Sequence, residues 1–261
     1  MSEEKIRLGG MALRNGVLVH GPSSWACAIR HPDGRLDVVS ARKRFRAARV
    51  TSPLLRGPAR IAEALALLPQ VKRKLPAAQL PMQSPRVLAT MAGVVVAVKG
   101  IRESSRLRPA VQELLSGLLS LAPAVFALRG SELASYHGAE HISIGGYEHG
   151  AGATKEHERC GGHLIGPLVV TSAVGNVLAG LAPERARGSA RAVAQLGAIA
   201  ASTEIFGWMS RHPNTPVSQA LSKPGHELQH RFSTAEPSPD QLEVAEAALA
   251  ACLELEHGAD A

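Results

Sequence analysis

Residues 16–40, GVLVHGPSSWACAIRHPDGRLDVVS, decide how the fold begins. Gly16 to His20 is a short β-branched run ended by Gly21-Pro22, and Trp25 to Arg30 alternates in size and polarity. Pro32-Asp33-Gly34 is a turn signal, and Leu36 to Ser40 is a further short run. Short runs of this kind, punctuated by Gly, Pro and Asp, fold back on one another, so a small antiparallel meander is expected here. From Arg60 onward the period becomes helical, with Ile61, Ala64, Leu65 and Leu68 on one face. Three prolines between Pro76 and Pro85 mark a linker or surface loop. Near the end, Ser238-Pro239-Asp240-Gln241 is a capping box with proline at the first helical position. Leu242, Ala245, Leu249 and Leu253 would be that helix's apolar stripe. The expected fold class is α+β. Residues 1–52 form a β-rich N-terminal subdomain, and residues 53–261 form a mostly helical bundle that carries a His/Glu/Cys site.

The chain has 261 residues, enough for one or two domains. Aromatics make up only 3%, too few for a platform that stacks single-stranded bases. Cys27, Cys160 and Cys252 lie far apart with no CxxC pair, which excludes a disulfide framework or zinc ribbon and makes a reducing compartment the default. No internal repeat, P-loop or dinucleotide fingerprint is present. The formal charge of +7 is uneven, because Arg30 to Lys74 holds twelve Lys or Arg against Asp33, Asp37 and Glu63. That stretch reads either as a solvated basic face or as a contact for RNA or an anionic membrane surface.

A helix needs roughly 20 apolar residues to cross a bilayer. Val87 to Val98 is too short, Val111 to Leu128 carries Glu113, and Ala192 to Met209 carries Glu204. Leu164 to Pro183 has the length and no charge, although Gly, Ser, Thr, Asn and Pro dilute it. With a mean hydropathy of +0.02, these stretches read equally well as buried helices of a soluble bundle. Met1 to Leu8 is charged and has no apolar core, so no cleavable signal peptide is expected. The expected location is the cytoplasm or the cytoplasmic face of the inner membrane.

Chemistry concentrates between His137 and His163, HGAEHISIGGYEHGAGATKEHERCGGH, where five of the eleven histidines lie. Residues four apart on a helix share a face and stand about 6 Å apart along the axis, so His137 and His141 can reach one cation. The order H-x-x-E-H is that of the inverted zincins, with the glutamate, here Glu140, as general base on a metal-bound water. Ser131 and Glu132 can start that helix, and Gly145-Gly146 can end it. Glu148 returns to the azimuth of His137 but would sit roughly 16 Å up the axis. It joins the site only if the glycines break the helix, or it serves a second ion. Glu204, an acid on an apolar helix, is another candidate ligand. His157 and Cys160, three apart, offer a further pair at a turn. His20, His31, His212, His226, His230 and His257 are scattered and read as solvent-facing, and Ser23-Ser24 and Cys27 suggest no nucleophile system.

These residues resemble the bacterial YqhQ family, a domain of unknown function expected to be a metal-dependent enzyme. The family's Y-H-G-A-E-H, Y-E and H-P-R-C-G correspond to Tyr136 to His141, Tyr147-Glu148 and His157 to Gly161. Its opening G-G-x-A-x-x-E-G-V and P-D-G turn correspond to Gly9 to Val17 and Pro32 to Gly34. Its later motifs correspond to Thr203-Glu204, Pro224 to Gln229 and Thr234 to Ala245. The chain departs from the pattern at Asn15, at Glu158 and in a shortened stretch between Glu148 and His157. The resemblance implies an integral or closely membrane-associated protein whose metal site draws on His137, Glu140, His141, Glu148, His157, Cys160 and Glu204.

The expected function is a metal-dependent enzyme, first a zinc hydrolase acting on a small molecule or peptide. A non-haem iron oxidase is the variant, since His and carboxylate ligands suit iron equally. The alternative is a non-enzymatic accessory protein at a membrane or ribosome, with a structural metal and residues 30–74 as its working surface. A homo-oligomer is compatible with either.

Overall fold

A computed structural model describes residues 5–120, 122–128, 131–150 and 152–258, without the side chains of residues 82, 109, 110 and 113. Four strands run as an antiparallel meander in the order β1-β2-β3-β4: β1 Gly9–Leu13, β2 Gly16–His20, β3 Ser24–Arg30 and β4 Leu36–Arg42. The register pairs Leu18 with Cys27 and Cys27 with Val39. β1, at one edge, was not foreseen as a strand. The helices are α1 Pro53–Lys74, α2 Pro85–Glu103, α3 Pro109–Ser120, α4 Ala122–Leu128, α5 Glu132–His149, α6 Ile165–Gly180, α7 Arg187–Arg211, α8 Pro216–Leu228 and α9 Pro239–His257. The α+β class holds, with the sheet first and the helices after it.

Alternation along the strands sends side chains to two cores. Val17, Val19, Ala26 and Ala28 pack against Leu133, Tyr136 and Ala139 of α5 and against Val244, Ala245, Ala248 and Cys252 of α9. Leu13, Leu18, Trp25, Cys27 and Ile29 pack on the other face against Leu67 and Val71 of α1 and the Leu75–Ala78 turn. Helices from residues 53–257 therefore cover both faces of the sheet. Covering both faces is what makes β3 buried from end to end.

Two local expectations, the buried faces of α1 and α9, are corrected by this packing. Helix α1 starts at Pro53 and buries Leu67 and Val71, while Ile61 and Leu65 are exposed. The Pro76–Pro85 stretch is a surface loop as expected, tied down where the Asn15 side chain accepts from Gln79 N at 2.8 Å and donates to Ala77 O at 3.2 Å. The Ser238–Gln241 capping box forms as read, but of the expected stripe only Ala245 is buried, with Val244, Ala248 and Cys252, while Leu242, Leu249 and Leu253 are half-buried. Alanines let the helix axis approach the sheet closely, and the larger leucines stay at its flanks.

Glu256, at the end of α9, anchors the sheet. Its carboxylate accepts from Ser23 N, Ser24 N, Ser23 Oγ and Ser24 Oγ at 2.6–2.9 Å. Burial opposes its ionisation, yet the hydrogen bonds from Ser24 and Ser23 outweigh that and hold the carboxyl below its ordinary range. A depressed folded-state value contributes stability above the unfolded-state value, and that contribution is lost as pH falls through the folded-state value. Glu256→Gln is therefore expected to cost about 1.5–3 kcal/mol at neutral pH, the scale of charge-assisted hydrogen bonds. Denaturant melts should show the gap from wild type closing as pH falls through the carboxylate range.

The other helices are less buried. The helix that runs Gly161–Gly180, through α6, is long and apolar enough to cross a membrane by length and composition. Its Val169, Val170, Val174, Val177 and Leu178 are exposed, as are Val193 and Leu196 of α7. Within the basic stretch, Arg42, Arg44, Arg46, Arg49 and Arg60 face outward. Lys43 turns inward to Glu63 at 3.3 Å, and Arg30, Arg35 and Arg56 form ion pairs with Glu243, Asp37 and Glu204.

Candidate metal centre

Helix α5 lies on β1, β2 and α9 and turns His137, Glu140 and His141 toward a cavity of about 660 Å³. The helix does not end at Gly145-Gly146, as the sequence suggested, but continues to His149. Gly145 instead gives room to Ala153 in the loop that returns beneath the helix.

Each ligand-type histidine is held by its far nitrogen. His137 Nδ1 lies 2.7 Å from Ser233 O, and His141 Nδ1 lies 2.5 Å from Lys155 O. A carbonyl can only accept, so in both rings Nδ1 carries the proton and Nε2 keeps its lone pair. Backbone orientation of the second ring nitrogen is the arrangement that fixes metal-ligating histidines. Local sequence makes it possible. Gly138 lets the Ala235 carbonyl approach where any Cβ would collide with it. The π-helical turn Gln229–Ser233 then presents the Ser233 carbonyl to His137.

Cys160 completes a group of three. Its Sγ stands 3.6 Å from His137 Nε2, and the donor atoms of His137, His141 and Cys160 all lie within 4.8 Å of one another. Nitrogen and sulfur ligands of a tetrahedral zinc, at their usual bond lengths, are about 3.6 Å apart. The donor set and spacing thus fit a cation of that type. Cys160 Sγ also accepts from Gly162 N at 3.4 Å, a contact that opposes but does not overcome the effect of burial on the thiol.

Glu140 Oε2 lies 3.9 Å from both His137 Nε2 and His141 Nε2, and the residue is only 6% exposed. Glu140 is not among the donors grouped with Cys160, and its carboxylate is close enough to both nitrogens for one water to intervene. Burial pushes the Glu140 carboxyl up to about 7, against a smaller opposing pull from His157. Burial, then the neighbouring His137, pushes His141 down to about 3, and burial lowers His137 as well. Both rings are therefore neutral at physiological pH, as ligation requires. Burial pushes the Cys160 thiol up to about 12, so binding a cation there would expel a proton.

Glu148 and His157 form a neighbouring group with His149. His157 Nε2 is 3.1 Å from Glu148 Oε2, and Arg159 makes an ion pair with the other carboxylate oxygen. The His157 ring lies 5.5 Å from that of His141, so Glu148 stays up the helix and reaches the first group only through His157. Glu204 is in neither group. Its carboxylate accepts from Arg56 Nε at 2.6 Å and from a second Arg56 nitrogen, and that contact holds its carboxyl below the ordinary range.

Among the histidines read as solvent-facing, His212, His226, His230 and His257 are exposed, and His31 is half-buried against Asp37 at 2.8 Å. His20 lines the cavity, with Nδ1 3.1 Å from Lys43 Nζ. Gly10 was missed altogether. A Cβ at that position would collide with the Glu140 carboxylate. The Gly9-Gly10 pair at a strand edge was the available signal.

The family comparison falls on this region. Residues 130–255 match the model of the DUF1385 family, described as a protein of unknown function. The DUF1385 segment holds both ligand groups and Glu140, in agreement with the YqhQ resemblance. The sheet and α1 to α4, which supply Gly10, His20 and part of the cavity wall, precede the DUF1385 match. No curated protein and no solved structure matches the chain.

Proposed function

We propose that this chain is a zinc-dependent hydrolase in which His137, His141 and Cys160 hold the ion and Glu140 is the general base. The observation that carries the reading is the pair of Nδ1–H bonds to Ser233 O and Lys155 O. They leave two Nε2 lone pairs beside one sulfur, with an unligated carboxylate equidistant from both nitrogens. Three protein ligands leave a fourth position for water or substrate, as in catalytic rather than structural zinc sites.

Zinc held there would supply a Lewis acid and lower the pKa of a water toward neutrality. Glu140 accepts the proton of the attacking water and returns it to the leaving group. His157, held by Glu148, and Arg159 border the same cavity. A soft sulfur ligand supports zinc over the two-histidine, one-carboxylate set typical of non-haem iron oxygenases.

Cobalt substitution tests the ligand set. Cobalt-loaded protein is expected to show tetrahedral d–d bands and a near-ultraviolet sulfur-to-cobalt charge-transfer band. Cys160→Ser should remove the charge-transfer band while cobalt stays bound. A charge-transfer band that survives Cys160→Ser, or an octahedral spectrum in the unaltered protein, would overturn the assignment.

A further inference from the structure

The cavity beside His137 and His141 is built from two unlike walls. Its reactive side chains, apart from His20, come from α5 and the loop after it. The remaining wall, from β1, α2 and α4, presents Met11, Val87, Met91, Ala127 and Leu128. The polar side chains on that wall are few: His20, whose Nδ1 meets Lys43, and Ser120, whose Oγ donates to Ser116 O. At about 660 Å³ the space far exceeds what a water and a scissile group need. It falls within the roughly 300–1,000 Å³ of pockets that bury most of a ligand.

A sugar, nucleotide or polar peptide laid along those apolar side chains would leave many of its hydrogen-bonding groups unpaired, which costs it affinity. An alkyl chain loses nothing there and gains by leaving water. Helix α4 supports the same solvent preference. It has no charged residue, sets Ala127 and Leu128 on the cavity, and exposes Phe126 on its outside. A helix that is apolar all round suits an apolar medium on both sides, and so suits a sparingly soluble substrate.

We infer that the cavity holds the apolar chain of an acyl ester or amide, with the acyl carbonyl at the His137–His141–Cys160 group. This substrate class rests on the hydrolase reading above. In the reaction, the oxygen of water bonds to the acyl carbon and the C–O or C–N bond breaks. One proton of that water ends on the leaving alcohol or amine, giving a carboxylic acid with no change of oxidation state.

The test is calorimetric binding of acetyl, butyryl, hexanoyl and octanoyl hydroxamic acids to the zinc-loaded protein, beside the matching carboxamides. Affinity for the hydroxamic acids is expected to rise about tenfold for each added pair of methylenes. Ala127→Trp should flatten the series with metal content unchanged. If that variant fails to fold, the slope in the unaltered protein still decides. A flat series from acetyl to octanoyl on a zinc-loaded protein would overturn the acyl-chain site and leave the metal reading standing. A steep series in which hydroxamic acids bind the zinc-loaded protein no better than carboxamides would overturn the placement of the acyl carbonyl at the metal group, and with it the hydrolase reading.

Discussion

Glu140→Gln is expected to leave bound metal unchanged and to cut hydrolysis of p-nitrophenyl octanoate by about 10²–10⁴, the usual contribution of a positioned general base. The amide has the same shape as the carboxylate and is not among the three grouped donors, so the ion has no reason to leave. What disappears is the lone pair that takes a proton at 3.9 Å from both histidine nitrogens. The metal arm of the experiment separates this from a structural role. If Glu140→Gln loses the metal, the residue is a ligand; if it keeps both metal and full turnover, it is not the base. A non-enzymatic protein with a structural ion would keep its metal and hydrolyse the ester in neither form.

Gly10→Ala should act through Glu140 from the other side of the cavity. The added methyl would occupy space now held by the Glu140 carboxylate, so either the side chain swings off its position or β1 shifts. Overpacking of this kind costs about 1–3 kcal/mol. Turnover should fall with it, because a base displaced by an ångström no longer reaches the same water. A double-mutant cycle isolates the contact. In a Glu140→Ala background the obstruction is gone, and Gly10→Ala is expected to cost little stability. Equal costs in the two backgrounds would show that Gly10 and Glu140 do not meet in solution.

How much of this was legible follows the range of each interaction. The meander was readable because its turns are local, as was the Ser238–Gln241 cap, whose two hydrogen bonds span three residues. The pairing of His137 with His141 was readable because a helix fixes the spacing of positions four apart. Faces of helices were harder. The buried side of α9 is chosen by the sheet it lies on, so Val244, Ala248 and Cys252 joined Ala245 there in place of larger leucines, in a way no window of α9 alone could reveal. Gly145-Gly146 looked like a helix end because glycine permits one, yet both lie inside the helix, where Gly145 gives room to Ala153. Glu204 looked like a buried acid seeking a cation, and it has one: Arg56, 148 residues away on α1. Gly10, Ser233 and Lys155 contribute a gap and two backbone carbonyls, features that carry no side-chain signature.

The central claim is that one cation is held by the two histidines of α5 together with Cys160. Elemental analysis of the purified protein beside His137→Ala/His141→Ala tests it most directly, with circular dichroism to check the fold. One metal equivalent per chain in the unaltered protein, and only a small fraction of that in a folded double variant, is the expected result. No metal in either protein, after zinc and ferrous iron have both been offered, would contradict it.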